Sequence, residues 1–393
     1  MDDHTIPNPS STTTAVTLYN TWSYPRDLKD DLRDTPLPAH FIDETLTTAW
    51  EYTRCVIPTF SPPNYPRYIA FVRLIALTTI AEYHGSLIDV LSPNSDTILT
   101  YHIPTLLSTL FGHTPLLVPM SLEFRSNLLF ASDKSSPRRN STLFQRYVNL
   151  LGSSPQTWFR LRDCDGLARF TIAAALVCND VPSDEWFTEV QLNILAEMSL
   201  TLYDAVAFYK HRAEGEVCNT FAYAGSSARV EAFHRCREVL WRLDASMATE
   251  PKMQHAVNFV RYFGGPIHLM MRRYRFVEDG LGLGGVETEG LVGDARAHVK
   301  LWNRVDVCGE GVDGGRLRVV MEREGVLFEG LREMLEDGAE GRCEGCVFRE
   351  VYGAEGSGEF GGVRLCVGCE RKWQEYLGSL AERAAEAFPA LQA

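Results

Sequence analysis

Four cysteines carry the sharpest chemical signal in this chain. Cys343-Glu-Gly-Cys346 and Cys366-Val-Gly-Cys369 form two Cx2C pairs with 19 residues between them, a spacing that suits a four-thiolate zinc site. Two such turns can aim their sulfurs at one point. A Zn²⁺ ion closed by four thiolates has no open position, so its role is structural rather than catalytic. The plain alternative is four reduced surface thiols. Cys55, Cys164, Cys178, Cys218, Cys236 and Cys308 lack metal-ligand spacing and mostly stand in helical text, where cysteine behaves as a small buried hydrophobe.

Four polar clusters interrupt apolar text in the first 280 residues. In Glu82-Tyr-His-Gly-Ser-Leu-Ile-Asp89 the two acids are seven apart, so on one helix both would project from the same face and could share a metal ion; Asp89 could equally be a helix-end cap. Arg160-Leu-Arg162-Asp163-Cys164-Asp165-Gly166, with Arg169 beyond, could align a guanidinium and a loosened backbone against a phosphate, or make an interhelical salt bridge. In the third cluster Asp204 and His211 are again two turns apart, with Lys210 beside them and Glu214 one turn further; a solvated helix end is the simpler reading of the later charges. Arg272-Arg273-Tyr274-Arg275 is a basic helix ending or a phosphate fork.

These clusters need rigid supports, and the text between Pro38 and about Phe276 supplies helices. The spacing predicts helices over Asp43–Cys55, Tyr68–Leu91, Ile98–Phe111, Leu143–Leu151, Asp165–Cys178, Asp184–Glu214, Ala228–Ala248 and Met253–Phe263, with Ser183-Asp184-Glu185 as a cap and acidic first turn. Nothing alternates like a long sheet. Glycine-rich stretches at 280–285 and 309–315 read as loops or linkers, and Gly280-Leu-Gly282 lacks the strand and helix that a dinucleotide fingerprint requires. Helical text resumes over Leu317–Leu335. Gly362-Val-Arg-Leu-Cys366 followed by Glu370-Arg-Lys-Trp-Gln-Glu-Tyr-Leu reads as strand into helix, a treble-clef ending.

Composition excludes several classes. The chain has 393 residues, 51 Asp+Glu against 38 Lys+Arg and a formal charge of −13. That balance argues against a nucleic-acid specialist or an anionic-membrane clamp. Only six of the basic residues are Lys, leaving 32 Arg, the side chain whose planar fork suits carboxylates and phosphates. An apolar fraction of 45% supports a large core. The first 14 residues, rich in Pro, Ser and Thr with two acids, resemble neither a signal nor a transit peptide. No apolar run approaches the roughly 20 residues of a membrane span.

An acidic face, an Arg…Asp-Gly break, an Asp-led helix and an Arg-Tyr pair follow the running order of class I terpene synthases. The usual adjacent-aspartate motif and the Asn-xxx-Ser-xxx-Glu motif are missing. Trp50-Glu-Tyr-Thr-Arg-Cys-Val-Ile-Pro58, Trp158-Phe-Arg-Leu-Arg-Asp-Cys-Asp165, Leu202-Tyr-Asp through Glu216, Asn258-Phe-Val-Arg-Tyr through Phe276 and Leu301-Trp-Asn-Arg-Val-Asp306 closely resemble the fungal α-ionylideneethane synthases of abscisic acid biosynthesis. The paired Cx2C module is shared, and the likeness runs from about Trp22 to the last helix.

The resemblance implies a mainly α protein, a terpene-synthase-type helical bundle with a small C-terminal zinc module. It implies a cytoplasmic enzyme that takes farnesyl diphosphate, with catalytic Mg²⁺, through allofarnesene to α-ionylideneethane; a relative making another hydrocarbon and a non-catalytic zinc-module scaffold are the rivals. The expected organisation is a disordered lead-in over 1–17, a catalytic bundle over 18–278, a glycine-rich linker and further helices over 279–338 and a four-cysteine module over 339–393. Glu82, Asp89, Asp204 and Glu214 are the candidate Mg²⁺ ligands; Arg162, Lys210, Arg272 and Arg273 are the candidate diphosphate contacts. Cys343, Cys346, Cys366 and Cys369 would hold structural Zn²⁺. His211 is the first candidate for a proton shuttle, with Asp204 and Arg162 beside it, His268 a weaker one and the diphosphate a rival base. The implied partners are a prenyl diphosphate and, for hand-off of product, downstream oxidases.

Overall fold

A helix that is apolar on every side must be enclosed by other elements, and two such segments, residues 65–83 and 168–178, organise this chain. The computed structural model describes residues 26–392 apart from 57–63, 93–94, 214–217, 225, 271–313, 324, 326 and 349–362. In chain order the helices are α1 Arg26–Asp31, α2 Ala39–Val56, α3 Tyr65–Tyr83, α4 Ile103–Phe111, α5 Leu117–Lys134, α6 Thr142–Asn149, α7 Pro155–Gly166, α8 Ala168–Cys178 and α9 Glu189–Ala213. Next come α10 Phe221–Ala224, α11 Ser226–Ser246, α12 Pro251–Phe263, α13 Pro266–Met270, α14 Gly314–Glu322, α15 Leu331–Glu340, α16 Val367–Gly378 and α17 Leu380–Ala387. Two antiparallel two-residue pairs, β1 Thr97–Ile98 with β2 Tyr101–His102 and β3 Val347–Phe348 with β4 Val363–Arg364, are the strands among the described residues.

The fold is therefore the mainly helical bundle that the sequence predicts. Every residue of α8 is buried, as are thirteen of the nineteen in α3. Around them pack α2, α4, α5, α9 and α12. Among the described residues no helix is long and apolar enough to cross a membrane.

Several predicted boundaries move, each for a local reason. The helix expected over Tyr68–Leu91 stops at Tyr83, because His84 leaves helical geometry (φ −134°, ψ 48°) and Gly85 opens a 3-10 turn. Asp89 therefore does not share a helix face with Glu82. The segment expected as Asp165–Cys178 is two helices, broken at Leu167 in the left-handed region (φ 58°, ψ 25°). Asp163 makes that break tolerable: its Oδ1 accepts from the backbone N–H groups of Ala168 (2.9 Å) and Arg169 (3.1 Å), capping α8. Ser183–Glu185 forms a 3-10 turn rather than the start of α9, and residues 98–102 make a hairpin ahead of α4. Leu317–Leu335 splits into α14 and α15, and Gly314 and Gly315, expected in a loop, begin α14.

Several helices have no counterpart in the sequence-based expectation, among them α7, which carries Arg162 and Asp165, and α5. α5 buries Glu123, Ser126, Asn127, Ser132, Asp133 and Lys134 alongside Phe124, Leu128, Leu129 and Phe130, so polar residues stand where periodicity looks for apolar ones. Its end locks the turn after α3. Gly85 N–H donates to Ser135 Oγ (3.0 Å), and Arg138 donates to the carbonyls of Gly85 and Ile88 (2.8 Å each).

This packing is tight enough to test. A Cβ at Gly85 would lie inside the Ser132 carbonyl and against Ser135 Oγ, so Gly85→Ala is expected to destabilise the protein by about 1–3 kcal/mol. A urea denaturation midpoint equal to that of wild type would contradict the close approach.

Candidate functional site

A cavity of about 90 Å³ lies where α2, α3, α5, α7, α9 and α12 converge. Part of its wall is aromatic and apolar: Tyr52, Ile75, Leu167, Tyr203, Phe263 and Ile267. The rings of Tyr52 and Phe263 are 6.3 Å apart and those of Tyr203 and Phe263 are 5.5 Å apart, so the three form one continuous surface. Tyr52 is fixed from behind, its hydroxyl 2.8 Å from Thr171 Oγ1 on α8.

The other part of the wall is charged, with Glu82, Lys134, Arg162 and Asp165. Lys134 Nζ lies 2.9 Å from Glu82 Oε2 and 2.9 Å from Asp165 Oδ1. Arg162 reaches Asp165 Oδ2 (2.5 Å) through one guanidinium nitrogen and Asp204 Oδ1 (2.8 Å) through another. The result is a chain of alternating charge, Glu82–Lys134–Asp165–Arg162–Asp204, carried by α3, α5, α7 and α9. Asn127 of α5 fastens the end of α7, donating to the otherwise unsatisfied carbonyls of Cys164 (2.9 Å) and Asp165 (3.1 Å).

Asp204 stands behind Arg162 rather than on the wall. Its carboxylate accepts from Arg162, from the Thr220 backbone N–H (2.8 Å) and from Thr220 Oγ1 (2.7 Å). That hydroxyl in turn accepts from Trp158 Nε1 (3.2 Å). Burial pushes the Asp204 carboxyl up, opposed by the Arg162 guanidinium and the Thr220 donors. Burial also works against the Arg162 charge, but the Asp204 and Asp165 carboxylates outweigh it and hold the guanidinium well above its ordinary value. Asp204 thus orients Arg162.

His211 is fully buried one layer further back. Asn219 Oδ1 accepts from Phe221 N–H (2.9 Å), which directs Asn219 Nδ2 as a donor to His211 Nδ1 (2.9 Å). A neutral His211 therefore carries its proton on Nε2. The cavity-lining ring of Tyr203 is 5.8 Å from the His211 ring and 4.8 Å from that of His268.

Asp89 is exposed beside Arg316 (3.3 Å), away from the charge chain. Glu214, Arg272 and Arg273 lie outside the described residues, as does the side chain of Lys210. The structure brings together Glu82, Arg162 and, behind them, Asp204 and His211. Lys134 is a site residue that the spacing of motifs does not single out, and Asp165 stands in the Arg…Asp-Gly cluster, where the spacing gives it no role of its own. Lys134 is one of only six lysines and follows Leu128-Leu-Phe-Ala-Ser-Asp, a rare charge at the end of an apolar run and the signal that could have found it.

The four cysteines converge as their spacing predicts. Their sulfurs all lie within 4.8 Å of one another. Four sulfurs around Zn²⁺ at about 2.3 Å would be about 3.8 Å apart, and Cys343 and Cys366 Sγ are 3.8 Å apart. The quartet could hold a zinc ion. The backbone N–H of Cys369 lowers the Cys366 thiol to about 7, whereas burial pushes Cys346 and Cys369 up. β3, β4 and α16 present these residues, and α16 docks directly on the bundle. Trp373 donates from Nε1 to the Leu151 carbonyl (2.9 Å) and packs 5.8 Å from Phe159 of α7. On α17, Arg383 grips Glu197 of α9 with two nitrogens (2.6 and 2.7 Å).

Comparison with known proteins identifies the family of the chain. The model of a family described as "Alpha-ionylideneethane synthase aba3" matches residues 20–390. An alpha-ionylideneethane synthase aba3 of Botryotinia fuckeliana strain B05.10 is 51% identical over 375 residues, covering 95% of this chain and 84% of that protein. An alpha-ionylideneethane synthase abl3 of Leptosphaeria maculans is 50% identical over 373 residues, 94% of this chain and 86% of that protein. Another abl3, of Pyricularia oryzae strain Y34, is 42% identical over 434 residues, with 94% and 83% covered.

Two outcomes are expected from the site geometry. Asp204→Ala leaves Arg162 with Asp165 as its one remaining carboxylate partner among the described residues and two Thr220 donors unpaired, so it should destabilise the fold by about 2–4 kcal/mol; an unchanged urea midpoint would show that Asp204 does not anchor Arg162. The purified protein should contain one zinc per chain by elemental analysis, and Cys366→Ser or extraction with a strong chelator should lower stability by on the order of 5 kcal/mol. An equally stable apo-protein would remove the metal from the fold.

Proposed function

Because the chain belongs to the alpha-ionylideneethane synthase family, we propose that it is a sesquiterpene synthase converting farnesyl diphosphate to α-ionylideneethane with release of diphosphate. The observation that carries this reading is the two-natured cavity wall: a guanidinium, an ammonium and two carboxylates joined to a continuous aromatic surface. A prenyl diphosphate has the same division, an anionic head and an apolar, π-rich chain.

In the reaction the bond from C1 to the diphosphate oxygen breaks, its electron pair leaves with diphosphate, and one proton is lost overall from the hydrocarbon. Arg162 would stabilise the departing charge, and the orientation of its fork by Asp204 and Asp165 supports that role. Lys210, Arg272 and Arg273 would add positive charge around the same head group. Tyr52, Tyr203 and Phe263 exclude water and offer π faces to the cationic chain. His211 is the sequence-nominated shuttle, but its unprotonated Nδ1 already accepts from Asn219, so it could take up a proton only after that contact opens; the diphosphate is the rival base.

Mg²⁺ favours hard oxygen ligands and binds through one or two carboxylates together with substrate phosphates. Glu82 and Asp165 on the cavity wall fit that donor set, and among the described residues Glu82 is the sequence-nominated acid that lines the cavity. When bound, the ion would neutralise charge developing on the diphosphate. Asp89 and Asp204 would act through water or from positions beyond this wall, and Glu214 is proposed as a further ligand on its sequence position alone. The zinc module over 339–393 would serve as a buttress of the catalytic bundle over 18–278. Catalysis would take place in the cytoplasm, with the hydrocarbon passing to oxidases and no nucleic acid involved.

Incubation of the purified protein with farnesyl diphosphate and Mg²⁺, followed by gas chromatography and mass spectrometry, is expected to give α-ionylideneethane. Another sesquiterpene would keep the reaction class and revise the product; unconsumed substrate would refute the reading. Arg162→Lys keeps the charge but loses the fork, and turnover should fall on the order of a hundredfold. A wild-type rate would remove Arg162 from the reaction.

A further inference from the structure

Lys134 occupies a place that the proposed diphosphate chemistry would assign to a metal ion, and the role inferred for it rests on that same reading of the site. Its side chain is 6% exposed, and its ammonium bridges Glu82 Oε2 and Asp165 Oδ1 at 2.9 Å each. Those oxygens are at most twice that distance, 5.8 Å, apart. Opposed oxygens around a magnesium ion are about 4.2 Å apart, so a small contraction would let the same two carboxylates grip a divalent cation. With the ammonium present, that position is taken.

The charge balance says when it could be vacated. On the wall itself Glu82 and Asp165 balance Lys134 and Arg162, and Asp204 behind Arg162 adds one further acid, so the charge chain is close to neutral and slightly acidic. A diphosphate arriving here brings oxygens that compete for both cations. Arg162 is fixed by Asp204 and Asp165, whereas a lysine carries a compact charge on a flexible four-carbon stem. Lys134 is the cation that can turn toward the phosphate. Asp165 would keep Arg162 (2.5 Å) as a partner, and Glu82, 14% exposed at its side chain, would face the cavity.

We infer that Lys134 is an internal stand-in for the metal: it neutralises Glu82 and Asp165 in the free protein, and on diphosphate binding its ammonium passes to the phosphate oxygens and yields the two carboxylates to a divalent cation. No covalent bond changes in this exchange. Its consequence is positive coupling, because each ligand removes the obstacle to the other, and such coupling is reciprocal.

The test uses the full-length protein as wild type, Lys134→Met, Lys134→Arg and Lys134→Met/Glu82→Gln, with folding checked by circular dichroism. Mn²⁺ binding is followed by electron paramagnetic resonance without and with inorganic pyrophosphate, pyrophosphate binding by calorimetry, and farnesyl diphosphate consumption in parallel. In the absence of pyrophosphate, Lys134→Met should bind Mn²⁺ about tenfold more tightly than wild type, while its pyrophosphate affinity with Mg²⁺ should fall about tenfold. The metal gain should vanish in the double variant, and Lys134→Arg should behave like wild type in both titrations. A lysine that merely supports the fold would not move the two affinities in opposite directions.

Unchanged or weaker Mn²⁺ binding by folded Lys134→Met overturns the exchange. Should that variant fail to fold, Lys134→Gln replaces it under the same criteria, and wild type lacking any enhancement of Mn²⁺ binding by pyrophosphate overturns the inference without a variant. Wild type that shows the coupling but leaves farnesyl diphosphate unconsumed supports the exchange and rejects the substrate. Turnover by wild type together with an unchanged Lys134→Met does the reverse.

Discussion

A buried charge in a protein interior costs several kcal/mol unless it is paired and hydrogen-bonded, and this molecule sets five charges in a row, four of them buried. Glu82, Lys134, Asp165, Arg162 and Asp204 come from four helices, and each is satisfied only if its neighbours are in register. Arg162 lies at 3%, Asp165 and Asp204 at 0% side-chain exposure. The apolar packing of α3 and α8 brings the helices together, but the ion chain dictates how α5, α7 and α9 must be rotated. That constraint explains the supporting contacts around it: Asn127 on the end of α7, Thr220 and Trp158 behind Asp204, and the Asp163 cap on α8.

The C-terminal module belongs to the same structure. Trp373, Leu377, Leu380 and Phe388 are continuous with the main core, and their hosts touch α7 and α9, the two helices that carry Arg162 and Asp204. Phe159 packs on Trp373 and Tyr376 three residues before Arg162, and Glu197 takes Arg383 seven residues before Asp204. A module at that position, whose four thiols could hold a metal ion, braces the outer faces of helices whose inner faces hold charges. The cysteine quartet is thus remote in chemistry from the cavity and close to it in mechanical terms.

Much of this was legible in the residues. Helical periodicity found most of the bundle, and the Cx2C pairs announced a four-thiol cluster, because both signals are local: a helix face repeats every 3.6 residues and a Cx2C turn is a single bend. The segments around Arg162 and Asp204 were also visible, as charges set in apolar text. α5 escaped because its buried face is polar, with Glu123, Asn127, Asp133 and Lys134 where leucines are sought. Glu82 and Asp89 were paired on an ideal helix that the chain ends at Tyr83, one residue before His84 turns away.

What the sequence by itself determined is therefore the helical class and most of the apolar helices, the thiol cluster and the family, all of which follow from short-range spacing or from wording that survives in relatives. Which charge faces which was decided only by tertiary structure. Asp204 and Arg162 are 42 residues apart and Lys134 and Glu82 are 52 apart, and no periodicity links such positions. Their pairing follows from desolvation: once the apolar helices exclude water, a buried cation must find the nearest buried anion, and which anion is nearest depends on the whole packed arrangement.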